Sequence, residues 1–432
     1  LDRSSAASDV YKRQHEDLAD AFLEGFVLSL PVTERADKIA ALRTKRMRRG
    51  DVAGALLLAL APGERRDTDT FDDLLLRAGL PDVLAAHLAL RAATSPPEER
   101  VPLLIERMRL LAGPLSDPRR ALHASAEVLS LVPDEAEALA RLAAYADDGV
   151  TSPAAVATLV ERIAQGEGPI AALTEAVARL GDATDNPALS VVALRASLRS
   201  SDDSARRTRL ATCEALCEER LDPKAKTSAS GARARAIVLG TLLDRREELS
   251  AELSSLDGHE EHALDAWTLA VERLLAVGDT SSAVDVARVA ASHTKVGTAR
   301  DAAVLLQARC ELARGTKAAA LAVLMADGSL APSHAPLALL LALDVGDSLA
   351  LAQAATQLCD GASGQVVATL RRVASRAFAA ASDFVSARRF AALARAADPK
   401  DLRAAALDVD VHLRKRVGPA NAKEALVAVE SA

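Results

Sequence analysis

From Leu18 onward, apolar residues recur at spacings of three and four, and almost nothing alternates with period two. That rhythm constrains this chain more than any other feature, because it is the signature of helices that bury one face. Leu103, Ile105, Met108, Leu110 and Leu111 make one such stripe, and Leu122, Ala126, Val128 and Leu129 make the next. Glycine or proline breaks the pattern about every 12 to 18 residues, at Gly50, Gly79, Gly113-Pro114, Pro133, Gly149, Gly166 and Pro187 among others. Helices of that length joined by short turns form antiparallel helical hairpins, not the strand–helix alternation of a parallel sheet.

Composition agrees. Half of the 432 residues are hydrophobic, yet the chain has only one Trp, two Tyr and six Phe. Alanine fills the gap. So apolar a chain is not disordered, and one so poor in aromatic residues is a weak candidate for a β-sandwich or barrel. Four cysteines cannot staple a chain of this length. The formal charge is −7, which argues against a dominant nucleic-acid surface. Arginine outnumbers lysine about four to one, which together with alanine reads as a GC-rich, bacterial coding bias and not as a functional signal.

The turns repeat a motif. Gly-Asp occurs at Gly50-Asp51, Gly181-Asp182, Gly278-Asp279 and Gly346-Asp347, with Ser382-Asp383 and Gly315-Thr316 as variants. Glycine closes one helix in the left-handed conformation, and Asp or Thr caps the next. Alanine recurs five residues after the turn's first residue, as Ala55, Ala283, Ala320 and Ala387. A small side chain at that fixed place lets two helices approach closely, so the pattern reads as an internal repeat.

These residues resemble the tetratricopeptide family, whose 34-residue unit is a helix–turn–helix. Residues 264–297 carry the likeness through Trp267, Leu274, Ala283 and Ala290, with Ala270, Ala287 and Lys295 departing from the pattern. Residues 368–401 carry it through Ser375, Phe378, Ala387, Ala394 and Pro399, with Arg371 and Ala391 standing where aromatics are expected. Residues 102–135 match weakly, through Met108, Ala121 and Pro133. The resemblance covers about a quarter of the chain. It implies an all-α superhelix, a solenoid of antiparallel helix pairs, that serves as a non-catalytic scaffold for a protein or peptide partner. It also implies that the first helix of each unit lines the groove. In this register the groove-facing residues are Asp265, Thr268 and Glu272 in one unit and Thr369, Arg372 and Arg376 in another. Arg372 and Arg376 are four apart, so they share a face and suit one carboxylate or phosphate.

Candidate chemistry is thin. His259 and His262 are three apart, where a metalloprotease helix needs four. Cys213 and Cys217 share a helix face but find no second pair for zinc, and read as buried apolar residues. Gly166–Ala171 superficially fits a dinucleotide loop, but helix and not strand precedes it. The basic run Arg43–Arg49 ends at Gly50, where cations offset a helix dipole. Asp72-Asp73 and Asp202-Asp203 lack the further acids of a helical prenyl-transfer site. No cofactor, metal or nucleic acid is therefore expected, and no apolar run approaches the roughly 20 residues of a membrane span. The localisation expected is cytoplasmic.

Residues 1–14 resemble a translated sequencing-adaptor tail and are read as a non-native or disordered segment. Two helical-repeat segments are expected, 15–220 and 235–432, joined by a linker or long turn at 221–234. The competing reading of the whole chain is a helical regulatory region of a larger, truncated bacterial enzyme or signalling protein.

Overall fold

The computed structural model describes residues 19–28, 30, 32–61, 68–166, 170–200, 203–221, 231–243, 252–260, 262–295, 297–326, 328, 330–399 and 401–414. The tail at 1–14 and most of the expected linker, 222–230, lie outside them. The described residues form helices and turns, with no strand among them. In chain order the helices begin with α1 (19–28), α2 (Val32–Arg48), α3 (Val52–Ala59), α4 (Thr68–Arg77) and α5 (Pro81–Thr94). Next come α6 (Pro97–Ala112), α7 (Pro118–Leu131), α8 (Ala136–Asp147), α9 (Pro153–Gln165), α10 (Ala171–Ala183), α11 (Pro187–Ser200) and α12 (Ser204–Leu221). The third stretch holds α13 (Ala232–Leu242), α14 (252–255), α15 (Ala263–Ala276), α16 (Thr280–His293), α17 (Thr298–Ala313) and α18 (Lys317–Leu324). The last holds α19 (Ala335–Val345), α20 (Ser348–Leu358), α21 (Gly364–Ala380), α22 (Phe384–Ala397) and α23 (Leu402–Arg414).

The turn motif builds the hairpins as its chemistry dictates. Gly50, Gly278 and Gly346 have φ of +77°, +81° and +82°. The following Asp51, Asp279 and Asp347 each accept a hydrogen bond from a backbone N–H three residues on, that of Gly54, Ser282 and Ala350. Ser382 takes φ +67° in the same role, and Asp383 accepts from the Ser386 N–H at 3.1 Å. Downstream, Ala55, Ala283, Ala320 and Ala387 are all fully buried. The helix pairs α15–α16 and α21–α22 coincide with the two segments that resemble tetratricopeptide units. Adjacent helices pack on one another through most of the described chain, so the fold is an all-α array of helix pairs.

Two copies of the motif behave differently. Gly181-Asp182 is no turn: both residues lie inside α10. A Cβ on Gly181 would come within 2.8 Å of the Ser190 hydroxyl, so this glycine serves the close approach of α11, and the chain turns later, at Asp185 with φ +49°. At Gly315-Thr316 the glycine is left-handed, but the Thr316 hydroxyl donates back to the Glu311 carbonyl at 2.8 Å, tying the turn to the helix before it.

The contacts group into two compact units. One consists of Leu1–Leu84 with Met325–Ala432, the other of Ala85–Leu324. We call them the terminal unit and the central unit. α12 and α13, on either side of residues 221–234, both belong to the central unit. Each unit contains packing between helices remote in sequence. In the terminal unit α3 packs on α21; in the central unit α9 packs on α15, with the α10–α13 excursion between them.

Candidate partner-binding cleft and buried charge clusters

α15 carries the first three residues that the repeat register assigns to a groove. Trp267 fixes the rotation of this helix: its ring is fully buried, and its indole N–H donates to the Leu253 carbonyl at 2.9 Å. That anchoring places Asp265 and Thr268, both half-buried, on another side of α15. Asp265 lines a cleft of about 590 Å³ in the central unit. The floor is apolar, from Val156, Leu180, Leu189, Leu239 and Leu269, all buried. The rim is charged with both signs, from Arg220, Arg235, Asp185 and Asp265. His262, which opens α15 at φ +66°, lies 3.2 Å from Asp265 through its Nδ1. Arg220 donates to both carboxylate oxygens of Asp185, at 2.9 and 3.0 Å, and to its carbonyl at 2.8 Å. A buried amide oxygen in the same lining, Oδ1 of Asn186, accepts no hydrogen bond.

Glu272, the third residue, is drawn inward. It is buried and paired with Arg309 of α17. Around that pair stand Arg107 of α6, bonded to Glu127 of α7, and His123, whose Nε2 is 4.0 Å from the Glu127 carboxylate. Burial pushes the His123 pKa down, against the pull of Glu127 in the opposite direction. The Arg107 and His123 charges outweigh burial at Glu127 and hold its carboxyl below the ordinary value. Arg273, 2% exposed, reaches Glu161 of α9 at 2.5 Å and the Thr241 carbonyl of α13 at 3.2 Å. These links stitch α15 to helices far from it in sequence.

Thr369, Arg372 and Arg376 lie in the terminal unit, and they face its interior. Thr369 is buried, its hydroxyl donating to the Ala53 carbonyl at 3.3 Å. Arg372 and Arg376 share a face and do converge on one carboxylate, but it is the chain's own. Glu24 of α1 accepts from Arg376 at 2.8 Å and lies 3.9 Å from Arg372. Arg46 donates to the other Glu24 oxygen at 2.7 Å. The three arginines overcome burial and lower the Glu24 pKa to about 2. Asp401 joins through Arg372 at 3.5 Å and Arg403 at 2.9 Å, and Arg403 continues to Asp51 at 2.5 Å. In the terminal unit Thr369 is thus bonded to α3, and Arg372 and Arg376 are joined in an ionic cluster with the chain's own carboxylates.

This cluster also corrects the reading of the basic run. Arg46 and Arg43 are buried, so only part of Arg43–Arg49 offsets the helix dipole in solvent. Lys45 and Arg49 pair with Asp20 of α1, each at 2.9 Å. A signal for this was present in Glu24, which stands between the apolar positions Ala21 and Val27 of an amphipathic stretch.

The remaining candidates sit apart from both places. Cys213 and Cys217 are buried on α12, and burial raises both thiols. His259 is exposed, three residues from His262. Asp73 pairs with Arg77 one turn on, and Asp203 accepts from the Ala205 N–H at the start of α12; Asp202 lies outside the described residues. α9 does precede Gly166, and residues 167–169 of that loop lie outside the described residues too. Among the described residues, no group of three or more His, Cys, Asp or Glu is placed to hold a metal ion, and no helix is long and apolar enough to cross a membrane.

No family model matches the chain, and no curated protein matches it. Among solved structures, the crystal structure of the APC/C hetero-tetramer Cut9-Hcn1 aligns over 96% of this chain and 91% of that one, at 14% identity and a TM-score of 0.23.

Proposed function

We propose that this chain is a protein-interaction scaffold and that the central unit's cleft receives a short segment of its partner. The observation that carries the reading is the position of Asp265. The repeat register assigns it to a partner groove, and it lines the cleft of about 590 Å³. That volume lies within the range of about 300–1,000 Å³ typical of ligand pockets. An apolar floor under a rim of mixed charge suits a peptide, whose side chains enter the floor while its polar backbone meets the rim. Thr268, on the same side of α15, belongs to the proposed contact surface.

Site-specific photo-crosslinking from position 265 tests this, with position 288 on the exposed face of α16 as the control. A partner crosslinked from 265 and not from 288 supports the cleft. Reversing two rim charges, Asp265→Lys with Arg235→Glu, is expected to abolish capture while circular dichroism shows unchanged helicity. Equal crosslinking from both positions, or full capture by the doubly reversed protein, would remove the cleft from consideration.

A further inference from the structure

The terminal unit's ionic cluster is one negative charge short. Four guanidinium groups, Arg46, Arg372, Arg376 and Arg403, are connected to three carboxylates, Glu24, Asp51 and Asp401. Arg46, Arg372 and Glu24 are each 1% exposed, so water does little to balance the excess. The hydrogen bonding is also incomplete. Nε and Nη2 of Arg46, Nε and Nη1 of Arg372 and Nη1 of Arg376 are buried and donate to no acceptor. Buried guanidinium donors without acceptors are costly, and each invites an explanation.

Beside the cluster lies a cavity of about 280 Å³ within the same unit. Its walls include Leu57, Leu60, Leu351, Val373 and Val411. Arg376 is where cluster and cavity meet: it lines the cavity, donates to Glu24 through Nη2, and keeps Nη1 without an acceptor. We propose that this cavity binds a small apolar monocarboxylic acid, the carboxylate accepting from Arg376 and the hydrocarbon chain lying against the leucine and valine walls. One carboxylate cancels the single excess charge. Arg35 and Asp410 in the same lining carry opposite charges, so together they leave that excess unchanged. The volume admits only a short chain. This site is separate from the proposed partner cleft and stands or falls without it.

The test titrates hexanoate into the 432-residue chain at neutral pH in chloride-free buffer, by calorimetry and by thermal unfolding. Hexan-1-ol and hexylamine serve as probes of the same length without the negative charge. Saturable one-to-one binding of hexanoate with a raised Tm is expected, with hexan-1-ol at least tenfold weaker and no saturable binding of hexylamine. Ala380 lines the cavity and is exposed, so Ala380→Trp should close its mouth and abolish hexanoate binding while helicity is kept. Hexanoate binding no tighter than hexan-1-ol would overturn the proposal on the unmodified protein, whatever the variant does. Undiminished binding by a folded Ala380→Trp protein would place the ligand elsewhere and overturn it as well.

Discussion

The hydroxyl of Ser375 on α21 donates to the backbone carbonyl of Ala387 on α22 at 2.8 Å, and both residues are fully buried. A side chain as short as serine reaches the backbone of the facing helix only where the two helices pack closely, and the small side chain of Ala387 permits that approach. The other hairpin repeats the arrangement across its next neighbour, with the Cys310 thiol of α17 3.6 Å from the Ala283 carbonyl of α16. Ala387→Leu and Ala283→Leu are therefore expected to overpack these contacts and cost roughly 1–3 kcal/mol each. Urea denaturation measures this, and a neutral result at both positions would refute the assigned role of the repeated alanine.

Local features were legible in the sequence, and long-range ones were not. Gly278-Asp279 specifies a turn by itself, because the left-handed glycine and the capping carboxylate act within four residues. Gly181-Asp182 shows the limit: the same dipeptide sits inside α10, where Ser190 presses on the glycine. Tertiary crowding, invisible in a dipeptide, decides between the two uses. Asp265 and Glu272 lie on the same helix, two turns apart. One lines a cleft and the other is buried because Arg309, 37 residues on, supplies its counter-charge. For Arg372 and Arg376 the shared face and the shared carboxylate follow from spacing, but spacing does not say that the carboxylate is Glu24, 352 residues away from Arg376.

Glu24 makes stability depend on pH at the acid end. Its pKa is lowered to about 2 by Arg376, Arg372 and Arg46, from an ordinary value of 4.5. With the folded pKa below the unfolded one, the contribution is fully present above the unfolded value and is lost as pH falls through the folded value. The difference corresponds to roughly 3 kcal/mol at neutral pH, most of it lost between about pH 4.5 and pH 2. Glu24→Gln should lower stability at pH 7 by an amount of this order and flatten the profile in that window. Urea midpoints at pH 7 and pH 3 give the comparison. An equal decline with acid in both proteins would show that Glu24 is not responsible.

His123 acts through the opposite chemistry with the same pH direction. Burial disfavours its protonated form and lowers its pKa, and Glu127 only partly compensates. The folded protein consequently resists a proton that the unfolded chain accepts. Stability is fully present above the unfolded pKa of about 6.5 and declines as pH falls through that value toward the folded pKa. Proton-detected titration of the imidazole should place its midpoint below the ordinary histidine value of about 6.5. A midpoint at or above that value would mean that Glu127 outweighs burial.

The terminal unit predicts a dependence that a strictly nearest-neighbour array lacks. α3 is eight residues long, and an isolated helix shorter than about 12–15 residues is marginal in water. Every residue from Ala53 to Ala59 is buried. Part of the burial comes from α21, whose Thr369 bonds the Ala53 carbonyl, and the Asp51 cap is itself held by Arg403 of α23. A chain ending at residue 362 keeps α3 and its turn motif intact but loses α21 and α23. Its α3 amides should then exchange with solvent at rates near those of unfolded peptide, while α6 to α11 of the central unit retain their protection. Hydrogen-exchange mass spectrometry on the full and shortened chains distinguishes the cases. Retained protection in α3 would show that pairing with α2 suffices and that the contact between the two ends of the chain is dispensable.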